Sequence, residues 1–393
     1  MDSGTTLKAH GMDGTLVEPD WAPLTLEELR ALFVQFPTLG EPLQILSYSP
    51  RPFSAAGVVE ARNGKVFVKR HHRSVRDREG LLEEHRFMLH LLSHGAAVPR
   101  VLDSTEGQTA IEMGESTYEL HGVPEGVDLY RDAISWTPFF TADHAHAAGM
   151  ALARLHQASS GFAAPRRAPR PLVASFTIFA AENPATELES YLAARPALAG
   201  HDAVRSCSLQ ALQLLAPFHA ELKPLLPALP SLWTHNDLHA SNLFWSDESD
   251  AARATAVIDF GLANRTCAMH DLAQAIERNI VEWLVLVNDP AQPENVPVRF
   301  DHLRALLAGY QSIRPLTAEE VAALAPMTAL CHAEFALTEA DYYLGALHSQ
   351  EKAPAAYDDY LVGHAWWFHS GRGRELLEAI THYAAIGSEA AKQ

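Results

Sequence analysis

Apolar and polar residues alternate with a period of two in the early part of the chain, which predicts β-strands. The clearest runs are residues 58–62 and 65–69, on either side of Asn63-Gly64. Asn-Gly between two such runs is the strongest short signal for a β-hairpin, because both turn residues must accept a positive φ. The sequence therefore predicts a hairpin with Asn63 and Gly64 at its turn.

A helical period follows this hairpin and a second pair of strands comes after it. Residues 77–94 have apolar positions at helical spacing, acids in the first turn and Gly95 just beyond the end. Residues 108–120 alternate again, with a turn expected at Gly114. These elements predict an N-terminal lobe, residues 1–122, built as a small antiparallel sheet that carries one helix.

The rest of the chain, residues 123–393, has mostly helical periodicity. Segments rich in Pro at 163–171 and 288–297 are expected to form surface loops. The predicted helices cover residues 142–156, 185–194, 206–226, 271–287, 298–311, 318–347 and 374–386. Strands in one half and helices in the other favour an α+β fold with a larger, mostly helical C-terminal lobe.

Composition limits the expected cellular location of the protein and the kinds of partner that it binds. With 393 residues and 48% hydrophobic content, the chain is long enough to bury a substantial core. Its three cysteines, Cys207, Cys267 and Cys331, have no paired spacing, and no signal peptide is visible, so a reducing, cytoplasmic location is expected. The net charge of −18 disfavours a nucleic-acid or anionic-membrane partner. The oligomeric state is left open.

The segment 234–245 and the strand-like segment 255–261 contain the candidate chemistry. Asp237 is followed five residues later by Asn242, and Asp259 stands at the end of an apolar run before Phe260-Gly261. Two short strands here are expected to pair and to bring the three side chains together. Such a set suits phosphoryl transfer: Asp237 would align an acceptor hydroxyl, and Asn242 and Asp259 would hold Mg²⁺, which prefers oxygen ligands.

The same loop also permits a different chemistry. His235, Asp237 and His239 alternate as His-x-Asp-x-His, a spacing that could bind a transition metal for hydrolysis. That alternative gives Asn242 and Asp259 no task. We therefore interpret His235 as a hydrogen-bonding residue that supports the catalytic loop, with the metal-dependent hydrolase as an alternative.

A nucleotide-binding lysine is expected in the N-terminal lobe. Lys69 ends the second strand of the hairpin, and Glu84 lies on the apolar face of the helix that follows. A carboxylate on an apolar face is costly unless it is paired, so Glu84 is predicted to pair with Lys69 and to orient it toward phosphates. The loop before residue 58 contains a single glycine, Gly57, and the backbone amides of residues 54–57 are expected to cover the phosphates of the nucleotide. Because that loop is poor in glycine, a nucleotide-binding protein without catalytic activity is a second alternative.

These residues resemble the aminoglycoside phosphotransferase and choline kinase family, over residues 58–272. The resemblance rests on the lysine strand, the helix with its glutamate, Leu152–His156, the His-x-Asp loop and Ile258-Asp259-Phe260-Gly261. It implies a bilobal protein-kinase-like fold, ATP as donor (with GTP left open) and Mg²⁺. It further implies a nucleotide-binding hinge strand at Glu119 and Leu120, and Asp271 as an anchor of the catalytic loop. Asp271 could instead be a helix N-cap. Many relatives carry glycine at the position of Asn236.

The acceptor is expected to be a small molecule with a hydroxyl group. Glu334 and Asp341 share one helical face, with Tyr342 next and Trp366 further along. Acids beside aromatic rings can hold an ammonium group, so an amino alcohol or an aminoglycoside-like compound is a candidate acceptor. The alternative is that these residues form a solvated acidic stripe and a packed aromatic core.

Overall fold

The computed structural model describes residues 7–11, 16–288 and 293–390, and over these residues the predicted α+β fold is confirmed. The N-terminal lobe is built on one antiparallel sheet. Its five strands are β3 (Pro42–Tyr48), β4 (Ala55–Ala61), β5 (Gly64–His72), β6 (Ile111–Met113) and β7 (Ser116–Gly122), after a short pair β1 (Ala9–His10) and β2 (Leu16–Val17). The strand order is β3-β4-β5-β7-β6.

The predicted hairpin is confirmed as β4 and β5, but its turn lies one residue earlier than expected. Ala61 pairs with Gly64, so Arg62 and Asn63 form the two-residue connection. Gly64, with φ of 141°, opens β5 instead of occupying the turn. The positive φ predicted for Asn63 does not occur, because the glycine after it takes that conformation.

Among its described residues the N-terminal lobe has two α-helices, where one helix was predicted. Helix α2 (Arg78–Ser93) matches the predicted one and is capped by Asp77. Helix α1 (Leu26–Phe33) was missed, although Thr25 and Glu28 form a reciprocal capping box that marks its start. Leu29, Leu32 and Phe33 of α1 are buried against the sheet in a small apolar core.

The C-terminal lobe is mainly helical, as predicted. Its helices are α3 (Ala142–Ser159), α4 (Pro184–Ala193), α5 (Pro196–Ala199), α6 (Asp202–Leu222), α7 (Ala268–Ile280), α8 (Trp283–Asn288), α9 (Phe300–Ile313), α10 (Ala318–Leu330), α11 (His332–Asp341), α12 (Leu361–Trp367) and α13 (Gly371–Ala390). Four short strands form two antiparallel pairs, β8 (Ser231–Thr234) with β11 (Asn264–Cys267) and β9 (Leu243–Trp245) with β10 (Ala254–Val257). These two pairs carry the candidate catalytic residues.

Several helix predictions need correction in detail. The helix predicted over 271–287 is broken at Val281, which leaves the helical conformation and bridges to Val298. The loop predicted at 163–171 exists, but it is not wholly at the surface, since Arg167 is buried. Of the loop predicted at 288–297, residues 289–292 lie outside the described residues.

Helices α10 and α11, with the π-helical turn after them, form one long apolar stretch. Residues 318–346 are long and apolar enough to cross a membrane. However, 89% of their most apolar 18-residue segment is buried inside the fold. Packing within the helical lobe therefore accounts for the apolar composition of this stretch.

Helices α3 and α9 pack in direct backbone contact through two glycines. A β-carbon on Gly149 would lie 2.1 Å from the carbonyl oxygen of Leu306, and one on Gly309 would lie 2.0 Å from that of His146. No side chain fits at either position without moving a helix. The crossing holds α3, and with it His156 at its C-terminal end, in place behind the catalytic loop.

The two lobes meet along a cleft. Strand β7 ends at Gly122, where the boundary between the lobes was predicted, and that division stays a prediction. Beyond it, Val127 and Trp245 exchange two backbone hydrogen bonds of 2.8 and 2.9 Å. Gly126, with φ of 107°, permits this contact, because a β-carbon there would lie 2.2 Å from the Trp245 carbonyl oxygen.

Candidate active site

Asp237, Asn242 and Asp259 are brought to the cleft by the two strand pairs. The expected hairpin between the two short strands is confirmed, since Leu243 pairs with Val257. A backbone hydrogen bond of 2.9 Å from the Ile258 amide to the Asn242 carbonyl continues this pairing. Asp237, Asn242 and Asp259 consequently line one cavity.

The backbone at this site adopts left-handed conformations at two non-glycine residues. Asn236 and Asp259 both have φ of 61°, a region that asparagine and aspartate tolerate better than most residues. The Asn236 side chain is held in place, because its Oδ1 accepts hydrogen bonds of 3.0 Å from both Thr234 and Thr266. Asparagine is one of the few non-glycine residues that adopt this conformation readily, so it is compatible with the backbone of the loop.

Asp237 is almost enclosed by protein groups. Its Oδ1 accepts a hydrogen bond from the Arg278 guanidinium, and its Oδ2 accepts one of 3.1 Å from the Asn242 amide. Burial raises the pKa of Asp237 to about 6, against the opposing effect of Arg278, and the negative charge of Asp259 adds to the rise. A carboxyl group with a pKa near neutrality is suited to proton exchange with a hydroxyl group.

Asp271, in helix α7, anchors the loop that carries Asp237. Its two oxygens accept hydrogen bonds from the backbone amides of His235 (2.9 Å) and Asn236 (2.8 Å). Its Oδ2 also lies 3.0 Å from Nε2 of His156. Asp271 is in the first turn of α7 and is not its N-cap, which is Cys267. Burial alone would raise the pKa of Asp271, but the hydrogen bond from His156 lowers it.

His235 joins the catalytic loop to the strand that leads to Asp259. Its Nε2 lies 2.9 Å from the Ile258 carbonyl oxygen, and its Nδ1 accepts a hydrogen bond of 3.2 Å from the Asp237 amide. Both ring nitrogens are therefore used within the protein. This geometry agrees with a supporting role and does not favour His235 as a metal ligand for the hydrolase alternative.

Lys69 pairs with Asp259 and not with Glu84, so the predicted pairing is wrong. The Lys69 ammonium lies 2.9 Å from Oδ1 of Asp259. Burial would lower the pKa of Lys69, but Asp259 and the carboxylates of Glu119 and Glu84 raise it to about 12. Burial likewise would raise the pKa of Asp259, and the ion pair with Lys69 lowers it instead.

Glu84 is buried beside two arginines that sequence reasoning did not foresee. Its Oε2 lies 4.0 Å from Nε of Arg76 and 3.8 Å from Nη2 of Arg167. Both arginines also donate hydrogen bonds to the Gly261 carbonyl oxygen, at 2.7 and 3.0 Å. Glu84 thus helps to fix the backbone just after Asp259, because the arginines supply the positive charge nearest to its carboxylate.

The larger cavity of the cleft lies between the sheet and the β9–β10 hairpin and has a volume of about 270 Å³. Apolar side chains border it from both lobes: Val58, Phe67, Met88, Phe244 and Ile258. Lys69, Asn242 and Asp259 lie along the same cavity. Gly57 also lines it, and a β-carbon there would lie 2.5 Å from the Ser47 carbonyl oxygen.

Of the two predicted hinge residues, Glu119 lines this cavity and Leu120 does not. Side chains alternate along β7, so Leu120 points to the opposite face and is fully buried in the small core with Val66 and Val68. The Leu120 side chain therefore does not border the cavity, and the assignment of this residue to the cofactor site stays a prediction. Glu119 pairs across the sheet with Lys69.

Three histidines surround Glu119. Its Oε1 lies 2.9 Å from Nε2 of His71, and its Oε2 lies 2.8 Å from Nε2 of both His85 and His121. Burial would raise the pKa of Glu119, but His121 and the other histidines hold it well below its usual range. Among the described residues, the ligand atoms of His85, Glu119 and His121 lie within 4.8 Å of one another. Hydrogen bonding within the group satisfies this buried carboxylate.

The four residues predicted to bind the acceptor do not line either cavity of the cleft, so these assignments are corrected. Buried Glu334 accepts hydrogen bonds from the backbone amides of Thr177 and Ile178, the latter at 2.6 Å, and so caps a loop. Asp341 is buried 3.9 Å from Arg195. Trp366 is 57% exposed at the surface.

Tyr342, the fourth, makes contacts between the lobes. Its ring packs edge-on against Phe53 with centroids 5.0 Å apart. Its hydroxyl donates a hydrogen bond of 3.0 Å to Asp20 and accepts one of 3.0 Å from Trp21. Tyr342 is buried by these partners, which the sequence pattern around it could not reveal.

Asn242 and Asp259 could hold a divalent cation. The amide nitrogen of Asn242 donates to Asp237, which leaves its carbonyl oxygen as the candidate ligand atom. Asp259 keeps 34% of its side chain exposed, and its low pKa keeps it charged. Amide and carboxylate oxygens are the ligands that Mg²⁺ prefers, so the donor set fits this ion.

Comparisons with known proteins show the family to which the chain belongs. The model of the phosphotransferase enzyme family matches residues 57–316. A homoserine kinase of Methylobacterium radiotolerans is 30% identical over 282 residues, which cover 70% of this chain and 75% of that protein. One of Gluconacetobacter diazotrophicus is 28% identical over 256 residues, which cover 63% of this chain and 65% of that protein.

Solved structures share the fold at low sequence identity. A microcompartment-associated aminopropanol kinase has a TM-score of 0.52 at 18% identity, with 91% of this chain and 98% of that chain covered. Amicoumacin kinase in complex with AMP-PNP and Ca²⁺ also has a TM-score of 0.52, at 13% identity, with 86% and 95% covered.

The bilobal fold is that of the kinase-like class, and the family match makes the protein a phosphotransferase. The chain belongs to the phosphotransferase enzyme family.

Proposed function

We propose that this enzyme transfers the γ-phosphate of ATP, with Mg²⁺, to a hydroxyl group of a small molecule in the cytoplasm. The observation that carries the proposal is the convergence of Lys69, Asp237, Asn242 and Asp259 on one cleft between the lobes. Phosphoryl transfer requires positioning and charge neutralisation at one place. These four side chains offer a hydrogen-bond acceptor for the nucleophile, oxygen ligands for a cation and a positive charge for phosphate.

Asp237 is the proposed base. Its carboxylate accepts a hydrogen bond from the acceptor hydroxyl and takes its proton as the bond to phosphorus forms. Arg278 holds this carboxylate from behind, which limits its rotation. Asn242 and Asp259 are the proposed Mg²⁺ ligands, and the ion would neutralise charge on the phosphates when bound.

The nucleotide is proposed to occupy the larger cavity. Its base would lie between the apolar side chains of the two lobes, with Val58 and Phe67 on one side and Phe244 and Ile258 on the other. Lys69 would then reach the phosphates, and Glu119 and Gly57 border the same space. Glu84 contributes indirectly, through Arg76 and Arg167.

The acceptor is proposed to bind in the smaller cavity next to Asp237, which has a volume of about 90 Å³. Trp136 and Phe335 form an aromatic wall there, and the carboxylates that line it are those of Asp237 and Asp259. Both already have cationic partners, Arg278 and Lys69. The cavity therefore favours a small, neutral or carboxylate-bearing alcohol over a polyamine.

The relatives named homoserine kinase act, by name, on an alcohol of this size and kind. We therefore propose that the acceptor of this enzyme is a small hydroxy acid or hydroxy amino acid. Amino alcohols and aminoglycosides, the acceptors suggested by the sequence, are tested as well, because structural neighbours are named aminopropanol kinase and aminoglycoside phosphotransferase.

A substrate panel tests the proposal. Release of ADP from Mg-ATP is measured with homoserine, other hydroxy acids, aminopropanol and an aminoglycoside, with wild type and Asp237→Asn in parallel. Acceleration by one alcohol, lost in the variant, is the expected result. Binding of Mg-ATP without turnover on any acceptor would favour the nucleotide-binding alternative, and turnover that survives Asp237→Asn would refute the assigned base.

A further inference from the structure

The loop between β3 and β4, residues 49–54, covers the cleft from the N-terminal lobe. Its ends are closed by a hydrogen bond of 2.8 Å from the Ser49 amide to the Ala56 carbonyl oxygen. Ser49-Pro50-Arg51-Pro52-Phe53-Ser54 contains no glycine. Proline fixes φ and has no N–H donor, so this loop, with two prolines in six residues, offers fewer and less adaptable backbone amides to phosphates than a glycine-rich loop does. A side chain of the loop is therefore a candidate for additional phosphate contacts.

The side chain of Arg51 borders both cavities of the cleft. Its nearest protein contacts are the Ala133 carbonyl oxygen, 3.3 Å from each terminal nitrogen, and Nδ1 of His10, 2.9 Å from Nη1. A carbonyl oxygen at 3.3 Å is a long partner for a guanidinium, which binds anions with shorter, charge-assisted bonds. No carboxylate among the described residues forms an ion pair with Arg51 within 4.0 Å.

Three carboxylates nevertheless act on Arg51 at longer range. Burial lowers the pKa of Arg51, and the charges of Asp128, Asp259 and Asp237 oppose that change. The guanidinium thus lies on the side of the cleft where the proposed base and the proposed metal ligands are found. A phosphoryl group passing from the larger cavity to the acceptor would pass this position.

We propose that Arg51 binds the terminal phosphates of the nucleotide and stabilises the phosphoryl group during transfer, in place of a glycine-rich loop. This inference rests on the proposed kinase function. In the reaction the bond between the γ-phosphorus and the oxygen of the ADP leaving group breaks, and a bond to the acceptor oxygen forms. The acceptor proton goes to Asp237, and the charge on the transferring oxygens is neutralised in part by Arg51.

The loop is held so that Arg51 faces this space. Phe53, two residues on, packs against Tyr342 of the C-terminal lobe. The amide of His10 donates a hydrogen bond of 2.7 Å to the Pro50 carbonyl oxygen. Contacts on both sides of Arg51 limit the movement of the loop. A guanidinium fixed in this way loses little entropy when it binds an anion.

Equilibrium binding of a nucleotide series tests the proposal. Dissociation constants for Mg-ATP, Mg-ADP and AMP are measured with wild type, Arg51→Gln and Arg51→Lys. The matched control is Arg62→Gln, an exposed arginine at the tip of the β4–β5 hairpin. Thermal unfolding without nucleotide checks that each variant is folded. If Arg51→Gln is unstable, Arg51→Lys, which retains the positive charge, takes its place in the test.

The expected result is a loss that depends on the number of phosphates. One charge-assisted interaction contributes roughly 1.5–3 kcal/mol, so Arg51→Gln should weaken ATP binding by about ten-fold or more. AMP binding should change by less than about two-fold on the same reasoning. Arg51→Lys should recover part of the ATP affinity but leave kcat reduced, since lysine lacks the planar pair of donors.

Three outcomes would overturn the proposal. An equal loss for ATP, ADP and AMP would mean that Arg51 only maintains the loop, and a change confined to the KM of the acceptor would assign it to the acceptor site. If wild type binds Mg-ATP but phosphorylates no alcohol, the kinase function fails, while the binding series still decides whether Arg51 contacts the phosphates. A wild-type protein that binds no nucleotide refutes both.

Discussion

Lys69 and Asp259 are joined by an ion pair of 2.9 Å that spans the cleft between the two lobes. The group proposed to bind phosphate is thus neutralised by a group proposed to bind the metal. A divalent cation at Asp259 and the lysine compete for the same carboxylate. We therefore expect metal and nucleotide binding to be coupled through this pair.

Asp259→Asn is predicted to remove that coupling. In wild type, Mg²⁺ should tighten ATP binding substantially, whereas in the variant ATP affinity should be nearly independent of Mg²⁺ and kcat should fall by at least about 10²-fold. Titration of ATP with and without Mg²⁺ measures this. Asp247→Asn, in an exposed turn, is the control. An undiminished response to Mg²⁺ in Asp259→Asn would show that the cation binds elsewhere.

Arg278 and Asp237 are predicted to be energetically coupled. Arg278 is fully buried and Asp237 nearly so, and removal of one partner leaves an uncompensated charge that costs about 3–5 kcal/mol. Arg278→Met should lower the free energy of unfolding by this amount. The double variant Asp237→Asn/Arg278→Met should lose clearly less than the two single losses combined, as measured by urea unfolding. Strictly additive losses would contradict the coupling.

Glu339 is predicted to make stability depend on pH. Burial raises its pKa to about 8 from 4.5, and Asp237 adds to the rise, against the opposing effect of Arg278. Between these two pH values the folded protein holds a proton that the unfolded chain releases. The contribution of Glu339 to the free energy of unfolding therefore falls as pH rises from about 4.5 to about 8, by up to about 1.4 kcal/mol per pH unit.

Glu339→Gln should remove that contribution. Urea unfolding at pH 5.5 and 7.5 is compared for wild type, the variant and Glu351→Gln, an exposed control. The difference in stability between the two pH values should shrink in Glu339→Gln alone. An unchanged difference would mean that Glu339 titrates close to its ordinary value.

Gly149 is predicted to tolerate no side chain. Because a β-carbon there would lie 2.1 Å from the Leu306 carbonyl oxygen, Gly149→Ala must push α3 and α9 apart. We expect a loss of about 1–3 kcal/mol in the free energy of unfolding, as is usual for overpacking. Gly200→Ala, where nothing lies within 4 Å of the new carbon, should change stability by less than about 0.5 kcal/mol. Similar losses in both variants would contradict this packing.

Local patterns sufficed to predict β4 to β7, β9 and β10, most of the longer helices and the convergence of Asp237, Asn242 and Asp259, because those features depend on residues close together in sequence. Strands β1, β2, β3, β8 and β11 were not predicted. The partner of Glu84 could not be predicted in this way. Arg167 lies 83 positions later in a segment that has the composition of a surface loop, and nothing in its neighbourhood marks it as buried. Arg76 is nearer to Glu84 but carries no pattern that distinguishes it from solvated arginines.

The acceptor residues were mispredicted for a related reason. Helical spacing correctly places Glu334 and Asp341 on α11, but spacing does not say which neighbour faces them. Glu334 meets the backbone of residues 177–178, and Asp341 meets Arg195. Arg278 could have been noticed seven residues after Asp271, two helical turns further along the same face as the loop anchor.

Trp21 stacks on His72 with ring centroids 5.0 Å apart and donates a hydrogen bond to Tyr342, so a segment ahead of the sheet touches both lobes. The segment around Trp21 is a second connection between the lobes, in addition to the chain itself at Gly122. Two connections restrict a hinge movement more than one does. Widening of the cleft for a bulky acceptor would then require the segment around Trp21 to detach. The range of alcohols that can enter would in that case be set partly by residues far from the reacting atoms.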